Sequence, residues 1–95
     1  MKYELIIKEE VNLEIIESYL FYESKSIGLG ERFLDNLDFY FDRIQNFPEH
    51  YQIKREPYRE AFVKKFPFII IYEISEKDII IYAVFHSSRN PVTKP

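Results

Sequence analysis

The spacing of the apolar residues changes halfway along this chain of 95 residues. Before Pro48 they recur about every three to four residues, which is typical of helices that bury one face. After Arg59 they alternate or run together and include many β-branched side chains, which is typical of strands. Because a chain of this length supports one hydrophobic core, we expect helices and strands to share a single domain over residues 1–95.

Two amphipathic helices are predicted in the N-terminal half. The first spans about residues 10–25 and the second runs from residue 29 or 31 to residue 46, where Pro48 stops it. The first has one stripe of apolar side chains with two more beside it: Val11, Ile15, Tyr19 and Tyr22, then Ile16 and Leu20. Gly28 and Gly30 separate the helices, and so short a link favours an antiparallel hairpin.

One strand is predicted before the helices, over residues 3–8, and three strands follow them. The last three lie within residues 59–66, 68–74 and 79–86, separated by the turn F-P-F and the polar reversal S-E-K-D, and residues 48–58 are interpreted as a loop. Such short links favour an antiparallel meander, covered on one face by the helices. The expected fold is therefore α+β: an N-terminal strand, an antiparallel helical hairpin, then a three-stranded antiparallel meander.

The net charge of −3 conceals an asymmetry between the two halves. Residues 1–50 hold eleven acids and five bases (5 − 11 = −6), whereas residues 51–95 hold five acids and eight bases (8 − 5 = +3). Five of those bases fall close together: Lys54, Arg55, Arg59, Lys64 and Lys65. The C-terminal half is therefore the half expected to face an anion or a nucleic acid.

Several classes of site are disfavoured by composition. The chain has no cysteine and two histidines, without the spacing of a zinc site, and its glycines do not form a phosphate-binding loop. The apolar run near the N-terminus is too short for a signal peptide, and no segment is long enough to span a bilayer. We therefore expect a cytoplasmic protein that needs no metal and no cofactor and has no membrane partner.

A small set of polar side chains is predicted at the sheet edges: Tyr58, Arg59, Lys64, Lys65, Tyr72, His86 and Arg89. A ribonuclease without a metal needs such groups, since an imidazole can move a proton and a guanidinium can stabilise charge on phosphate. Structural roles are equally open. His86 can be a hydrogen-bonded structural histidine, Arg89 can pair with a carboxylate, and the two tyrosines can pack against the helices.

Five segments in a fixed order point to a family: F-Y-E, G-L-G-E-R-F-L-D-N-L, F-P-E-H-Y, Y-R-E-A-F-V-K-K-F-P-F-I-I-I-Y-E-I and I-I-I-Y-A-V-F-H-S-S-R-N-P. In them the chain resembles the RelE/ParE superfamily of bacterial type II toxin–antitoxin toxins, particularly its ParE-like (plasmid stabilisation) branch. The resemblance covers nearly all of residues 3–91. It implies a helical hairpin packed on an antiparallel sheet, with the H-x-x-R-N-P segment near the functional edge.

The resemblance also implies a function. RelE-type toxins cleave messenger RNA on the ribosome and usually carry an arginine where Ile69 stands here, whereas ParE-type toxins poison DNA gyrase. It therefore implies a ParE-like toxin that acts on DNA gyrase and is neutralised by a cognate antitoxin. The residues expected to contact the target are Arg59, Lys64, Lys65, His86 and Arg89, and those expected to contact the antitoxin are Phe21, Phe39 and Tyr40.

Two alternatives stay open. The first is a ribosome-dependent mRNA endoribonuclease of RelE type, with His86, Arg59 and Arg89 as its catalytic residues. The second is an inactive family member that acts only as a binding partner.

Overall fold

The computed structural model describes residues 2–87. Its elements follow the order β1 (Glu4–Ile7), α1 (Glu9–Lys25), α2 (Leu29–Asn46), β2 (Ile53–Arg55), β3 (Tyr58–Phe62), β4 (Phe68–Ser75) and β5 (Asp78–His86). The predicted α+β class is confirmed, and both helices begin and end within a residue of the positions expected from the apolar spacing. Neither helix is long and apolar enough to cross a membrane.

The sheet contains five strands in the order β1-β5-β4-β3-β2. Strands β3, β4 and β5 form the predicted antiparallel meander, but β1 pairs in parallel with β5, so the sheet is mixed. The register places Leu5 opposite Ile79 and Ile7 opposite Ile81. This pairing turns the apolar side chains of β1 toward the same core as those of β5, which accounts for the position of the N-terminal strand.

The sequence indicated only a loop for residues 48–58, but these residues also form a strand. They contain β2, which pairs antiparallel with β3 through an irregular register. All three residues of β2 are exposed, so the strand buries no apolar face. A strand that is held only by its backbone pairing leaves no periodic signal in the sequence, and this is why the prediction missed it.

The core lies between the helical hairpin and one face of the sheet. An aromatic cluster stands at one end of it, where the ring centroids of Phe33 and Phe68 are 4.9 Å apart and those of Tyr22 and Phe66 are also 4.9 Å apart. Phe66 was expected to continue the alternation of β3. The strand ends at Phe62 instead, and the turn before Pro67 lets the Phe66 ring fold inward against α1 and α2.

Helix α1 buries a narrower stripe than the sequence suggested. Val11 is fully buried, and the other members of the predicted stripe, Ile15, Tyr19 and Tyr22, pack against the core. Ile16 and Leu20 were expected to widen this stripe, but they are 51% and 58% exposed. The hairpin leaves α1 in contact with the core along one side, so these two residues point away from it.

The turn between the helices is held by Glu23. Its carboxylate accepts hydrogen bonds from the backbone N–H groups of Gly28 and Gly30, each at 2.9 Å. These are donors at the start of α2, which have no partner within the helix and carry its partial positive charge. The backbone of Gly28 has a φ of +88°, a conformation that glycine adopts without strain.

Gly30 allows the two helices to approach closely. A Cβ atom at this position would lie 2.7 Å from the Tyr19 ring and 2.8 Å from the Tyr19 carbonyl oxygen. The ring could turn away, but the carbonyl belongs to the backbone of α1. Any side chain at residue 30 must therefore push the helices apart.

We expect Gly30→Ala to lower the free energy of unfolding by about 1–3 kcal/mol, because the added methyl group overpacks the contact with Tyr19. Urea denaturation followed by circular dichroism measures this change. Ser26→Ala, at an exposed position beside the same turn, is the matched control and should change stability by less than about 0.5 kcal/mol. Alanine otherwise favours a helix over glycine, so a gain in stability from Gly30→Ala would contradict the close contact.

Candidate functional site

The predicted site residues are spread over several regions, and the first is a groove between α2 and the turn that joins β3 to β4. This basic groove has a volume of about 780 Å³, and its charged lining residues are Arg32, Asp35, Lys64 and Lys65. Both lysines are exposed in the turn, and Arg32 is exposed in the first turns of α2. Three cations and one carboxylate give the lining a net positive charge.

Arg32 was not predicted from the sequence. It belongs to the acidic half of the chain, far in sequence from Lys64 and Lys65, and only the packing of α2 beside the turn brings the three together. A signal was available in the segment G-E-R-F, where the buried Phe33 fixes the neighbouring arginine on the outer side of α2. This segment points to the groove only when the edge of the sheet that α2 covers is already known.

Aromatic side chains form the apolar part of the basic groove. Phe39 is 55% exposed, and Phe66 lies half-buried beneath the turn. Tyr40 also borders the groove but is only 8% exposed, so little of its ring is available to a partner. Its ring belongs to the core cluster, with the Phe39 ring against it at 5.3 Å. Phe21, on α1, is 45% exposed.

Arg59 lies in the second region, on β3, where it faces Tyr72 of β4. Its guanidinium Nη1 donates a hydrogen bond of 2.6 Å to the carbonyl oxygen of Tyr51 and a longer one, of 3.4 Å, to that of Glu49. These bonds tie the segment before β2 to the sheet. The group expected to bind target or phosphate is therefore already engaged in holding a loop.

Tyr72 completes this structural cluster. It is fully buried, and its hydroxyl donates a hydrogen bond of 2.6 Å to the carbonyl oxygen of Pro48. Burial raises the pKa of the hydroxyl well above its usual value, while the positive charge of Arg59 acts in the opposite direction. Tyr72 thus packs beneath the helices, as one reading of the sequence allowed. Tyr58 does not pack beneath the helices. It pairs with Glu73 and not with Tyr72, and its ring centroid lies 5.3 Å from that of Tyr82.

His86 lies apart from Arg59, since it pairs with the first residue of β4 and Arg59 pairs with the fifth. It pairs with Phe68, whose ring centroid is 5.4 Å from the imidazole, whereas Arg59 pairs with Tyr72. Their partners on β4 are four residues apart, which is about 13 Å along a strand. Strands β3 and β5 are also two strand spacings apart, which is about 10 Å across the sheet. The imidazole and the guanidinium are therefore not brought together. Arg89, the third predicted catalytic residue, lies outside the described residues.

A further polar group on the open face of the sheet was not singled out from the sequence. A hydrogen bond with Glu73 and partial burial raise the pKa of the Tyr82 hydroxyl, and the ammonium of Lys8 lies 4.9 Å from the Tyr82 ring centroid. Within residues 2–87, no three His, Asp or Glu side chains are grouped so that they could hold a metal ion.

Comparisons with known proteins agree with this architecture. The sequence model of the family described as "ParE toxin of type II toxin-antitoxin system, parDE" matches residues 10–91. A chain from the "Chromosomal ParDE TA system from P. aeruginosa" superimposes with a TM-score of 0.76 at 13% identity, over 90% of this chain and 96% of that one. An arginine-substituted mutant of E. coli toxin RelE in the free state gives a TM-score of 0.65 at 13% identity, over 98% and 92%. A comparison with curated protein sequences gave no significant match.

We expect Tyr72→Phe to lower the free energy of unfolding by about 1–2 kcal/mol at pH 7, because it leaves the buried Pro48 carbonyl without its donor. The raised pKa adds a pH dependence. The folded protein holds the Tyr72 proton more tightly than the unfolded chain does, so this contribution is complete below pH about 10 and is lost as pH rises further.

Urea denaturation at pH 7 and at pH about 10.5 tests both parts. The wild-type protein should lose more stability between the two pH values than Tyr72→Phe does. Tyr82→Phe is the comparison on the open face, where water can replace the lost hydroxyl, and it should cost less at pH 7. An equal pH-dependent loss in wild type and in Tyr72→Phe would show that Tyr72 does not contribute in this way.

Proposed function

We propose that this chain, which belongs to the ParE toxin family of type II toxin–antitoxin systems, inhibits DNA gyrase in the cytoplasm. The family match includes α1 from its second residue, all of α2 and strands β2 to β5, and therefore every part of the basic groove. A toxin of this class has a cognate antitoxin as its partner. The positions of the candidate catalytic residues favour a protein target over messenger RNA.

The separation of Arg59 and His86 is the observation that favours a protein target over messenger RNA. Cleavage of RNA by side chains alone needs a proton-transferring group and a charge-stabilising group at the same phosphate. Here Arg59 and His86 pair with β4 residues that are four positions apart, and the Arg59 guanidinium donates hydrogen bonds to backbone carbonyl groups. Ile69 also occupies the β4 position at which the RelE-type arginine is expected. This arrangement supports a function in binding more than one in catalysis.

The basic groove has the composition of a surface that binds protein. Phe39 and Phe66 can supply apolar contact area, while Arg32, Lys64 and Lys65 can orient an approaching acidic surface. We assign the groove to the gyrase contact on this basis. Lys64 and Lys65 thereby keep the role predicted from the sequence, and Arg32 joins them.

The position of Phe39 suggests how neutralisation works. It was expected to contact the antitoxin, and it lies in the same groove as Lys64 and Lys65. An antitoxin segment that covers Phe39 would therefore also cover the cations assigned to the target. Neutralisation would then follow from occlusion of the groove and would require no change in the fold of the toxin.

We expect the purified protein to inhibit DNA supercoiling by gyrase. The triple variant Arg32→Ala/Lys64→Ala/Lys65→Ala should need a concentration about tenfold higher or more for the same inhibition, because the groove loses its three cations. The difference should narrow as salt is added, since salt screens exposed charges. The control is Lys2→Ala/Lys54→Ala/Lys77→Ala, which removes three exposed lysines outside the groove and should inhibit as the wild type does.

Cells that express the protein distinguish the alternatives. If gyrase activity is unaffected and primer extension of cellular RNA shows new message ends after induction, the toxin is a ribonuclease and the gyrase assignment is wrong. If growth, supercoiling and message ends all stay unchanged, the chain is an inactive member that acts by binding alone.

A further inference from the structure

Helix α2 continues the chemistry of the basic groove beyond the groove itself. Arg32, Phe39, Arg43 and Phe47 are spaced seven, four and four residues apart, which places their side chains along one side of the helix and its C-terminal cap. The rings of Phe39 and Phe47 are 55% and 61% exposed. The four side chains form a row of cations and aromatic rings, which are the residue types that contribute most at protein interfaces. We call this row the α2 stripe.

A contact within the α2 stripe joins the basic groove to a second cavity. The Arg43 guanidinium lies 5.8 Å from the ring centroid of Phe39, which lines the groove. Arg43 and Phe47 line the second cavity, together with His50 beyond the end of α2. This cavity has a volume of about 740 Å³. Because the two cavities adjoin at Phe39 and Arg43, one elongated ligand can occupy both.

The cations of this combined surface have no carboxylate partner among the described residues. Within residues 2–87 the only salt bridge joins Lys8 to Glu10, at 3.7 Å. Neither Arg32, nor Arg43, nor the two lysines of the groove is therefore paired with an acid there. A ligand that supplies carboxylates can pair with these cations without first displacing an internal partner, so charge complementarity calls for an acidic ligand.

The acids of α2 lie beside the stripe and restrict what can bind along it. They are spaced three and four residues apart, which places them on the neighbouring side of the helix: Glu31, Asp35, Asp38 and Asp42. A single nucleic-acid strand carries a negative charge on every nucleotide, so part of that charge would lie close to these carboxylates. A polypeptide can place carboxylates opposite the cations alone. The pattern therefore favours a segment of protein over a nucleic acid.

Asn36, which lies between Arg32 and Phe39 on α2, also favours a polypeptide. Its side chain lines the groove, and within residues 2–87 its Oδ1 atom is buried without a hydrogen-bond partner. Buried acceptors are normally satisfied. An extended polypeptide carries backbone N–H groups along its length, and rotation of the Asn36 amide would let Oδ1 accept a hydrogen bond from one of them. The phosphates of a nucleic acid accept hydrogen bonds and do not donate them.

We propose that the basic groove and the α2 stripe together bind one extended acidic segment of the target protein. The proposal rests on the proposed function, in that the target is the protein inhibited through the groove. Arg32 and Arg43 are eleven residues apart, which is about 17 Å along a helix, and an extended chain covers this distance in about five residues. The segment therefore carries acidic residues about five positions apart, with an apolar side chain between them that contacts Phe39.

A labelled peptide tests this pattern directly. The probe is the fluorescein-labelled peptide E-E-S-F-S-E-E, and its binding is followed by fluorescence anisotropy. Arg43→Ala/Phe47→Ala should lower its affinity by about tenfold, because one charge pair and one ring contact are lost. The affinity of the wild type should fall as salt is added, since the cations are exposed to solvent.

Matched controls separate this surface from a general effect of charge or apolar area. Phe62→Ala/Lys77→Ala removes a ring of similar exposure, 54%, and an exposed lysine, both outside α2. This variant should bind the probe as the wild type does. The peptide E-E-S-S-S-E-E, which has no ring, should bind the wild type about fivefold more weakly than the probe does. Circular dichroism of Arg43→Ala/Phe47→Ala should match that of the wild type, since the Phe47 ring is mostly exposed.

Three results with the probe would overturn the proposal. The first is no binding of the probe by the wild type, and the second is equal affinity of the wild type and Arg43→Ala/Phe47→Ala. The third is tighter binding of a labelled single-stranded oligothymidylate than of the probe at the same salt concentration, because the surface would then belong to a nucleic acid.

The supercoiling assay separates this proposal from the proposed function. Arg43→Ala/Phe47→Ala leaves the three cations of the groove in place, and it should need a concentration about fivefold higher than the wild type for the same inhibition of gyrase. If it inhibits as well as the wild type, the groove alone contacts gyrase and the extended segment is wrong. If the wild type binds the probe as expected but does not inhibit gyrase, the acidic segment belongs to another protein and only the gyrase assignment fails.

Discussion

The close packing of the helical hairpin is the constraint on which the rest of the structure depends. Glu23 holds the start of α2 through Gly28 and Gly30, and the lack of a side chain at Gly30 lets the backbone of α2 approach that of α1 at Tyr19. The hairpin then lies on one face of the sheet as a unit. Because each helix can cover the sheet with only one side, the hairpin decides which side chains remain outside.

The sequence predicted those parts of the fold that bury apolar surface in a regular pattern. The helices, the meander and the F-P-F turn all carry such a pattern, and the structure confirms them. Strand β2 buries nothing, and four residues of β1 are too few to indicate whether they pair with β5 in parallel. These features depend on backbone pairing and on long-range packing, which apolar spacing does not record.

The candidate site was predicted less completely for a related reason. Lys64 and Lys65 are neighbours in sequence and remain neighbours in the groove, but Arg32 joins them only through the position of α2. Arg59 and His86 had the chemistry of a nuclease pair, yet the register of β3, β4 and β5 places them apart. Residue type thus identified the candidate groups, and strand register decided which of them could work together.

Helix α1 shows why apolar spacing cannot by itself separate a core from an interface. Ile16 and Leu20 appeared to widen the buried stripe, because they lie beside Ile15 and Tyr19 on the helix. In the structure they lie with Leu13 on a different side of the helix, which is more than half exposed. Burial in the monomer and burial in a complex impose the same choice of side chain, since both remove apolar surface from water.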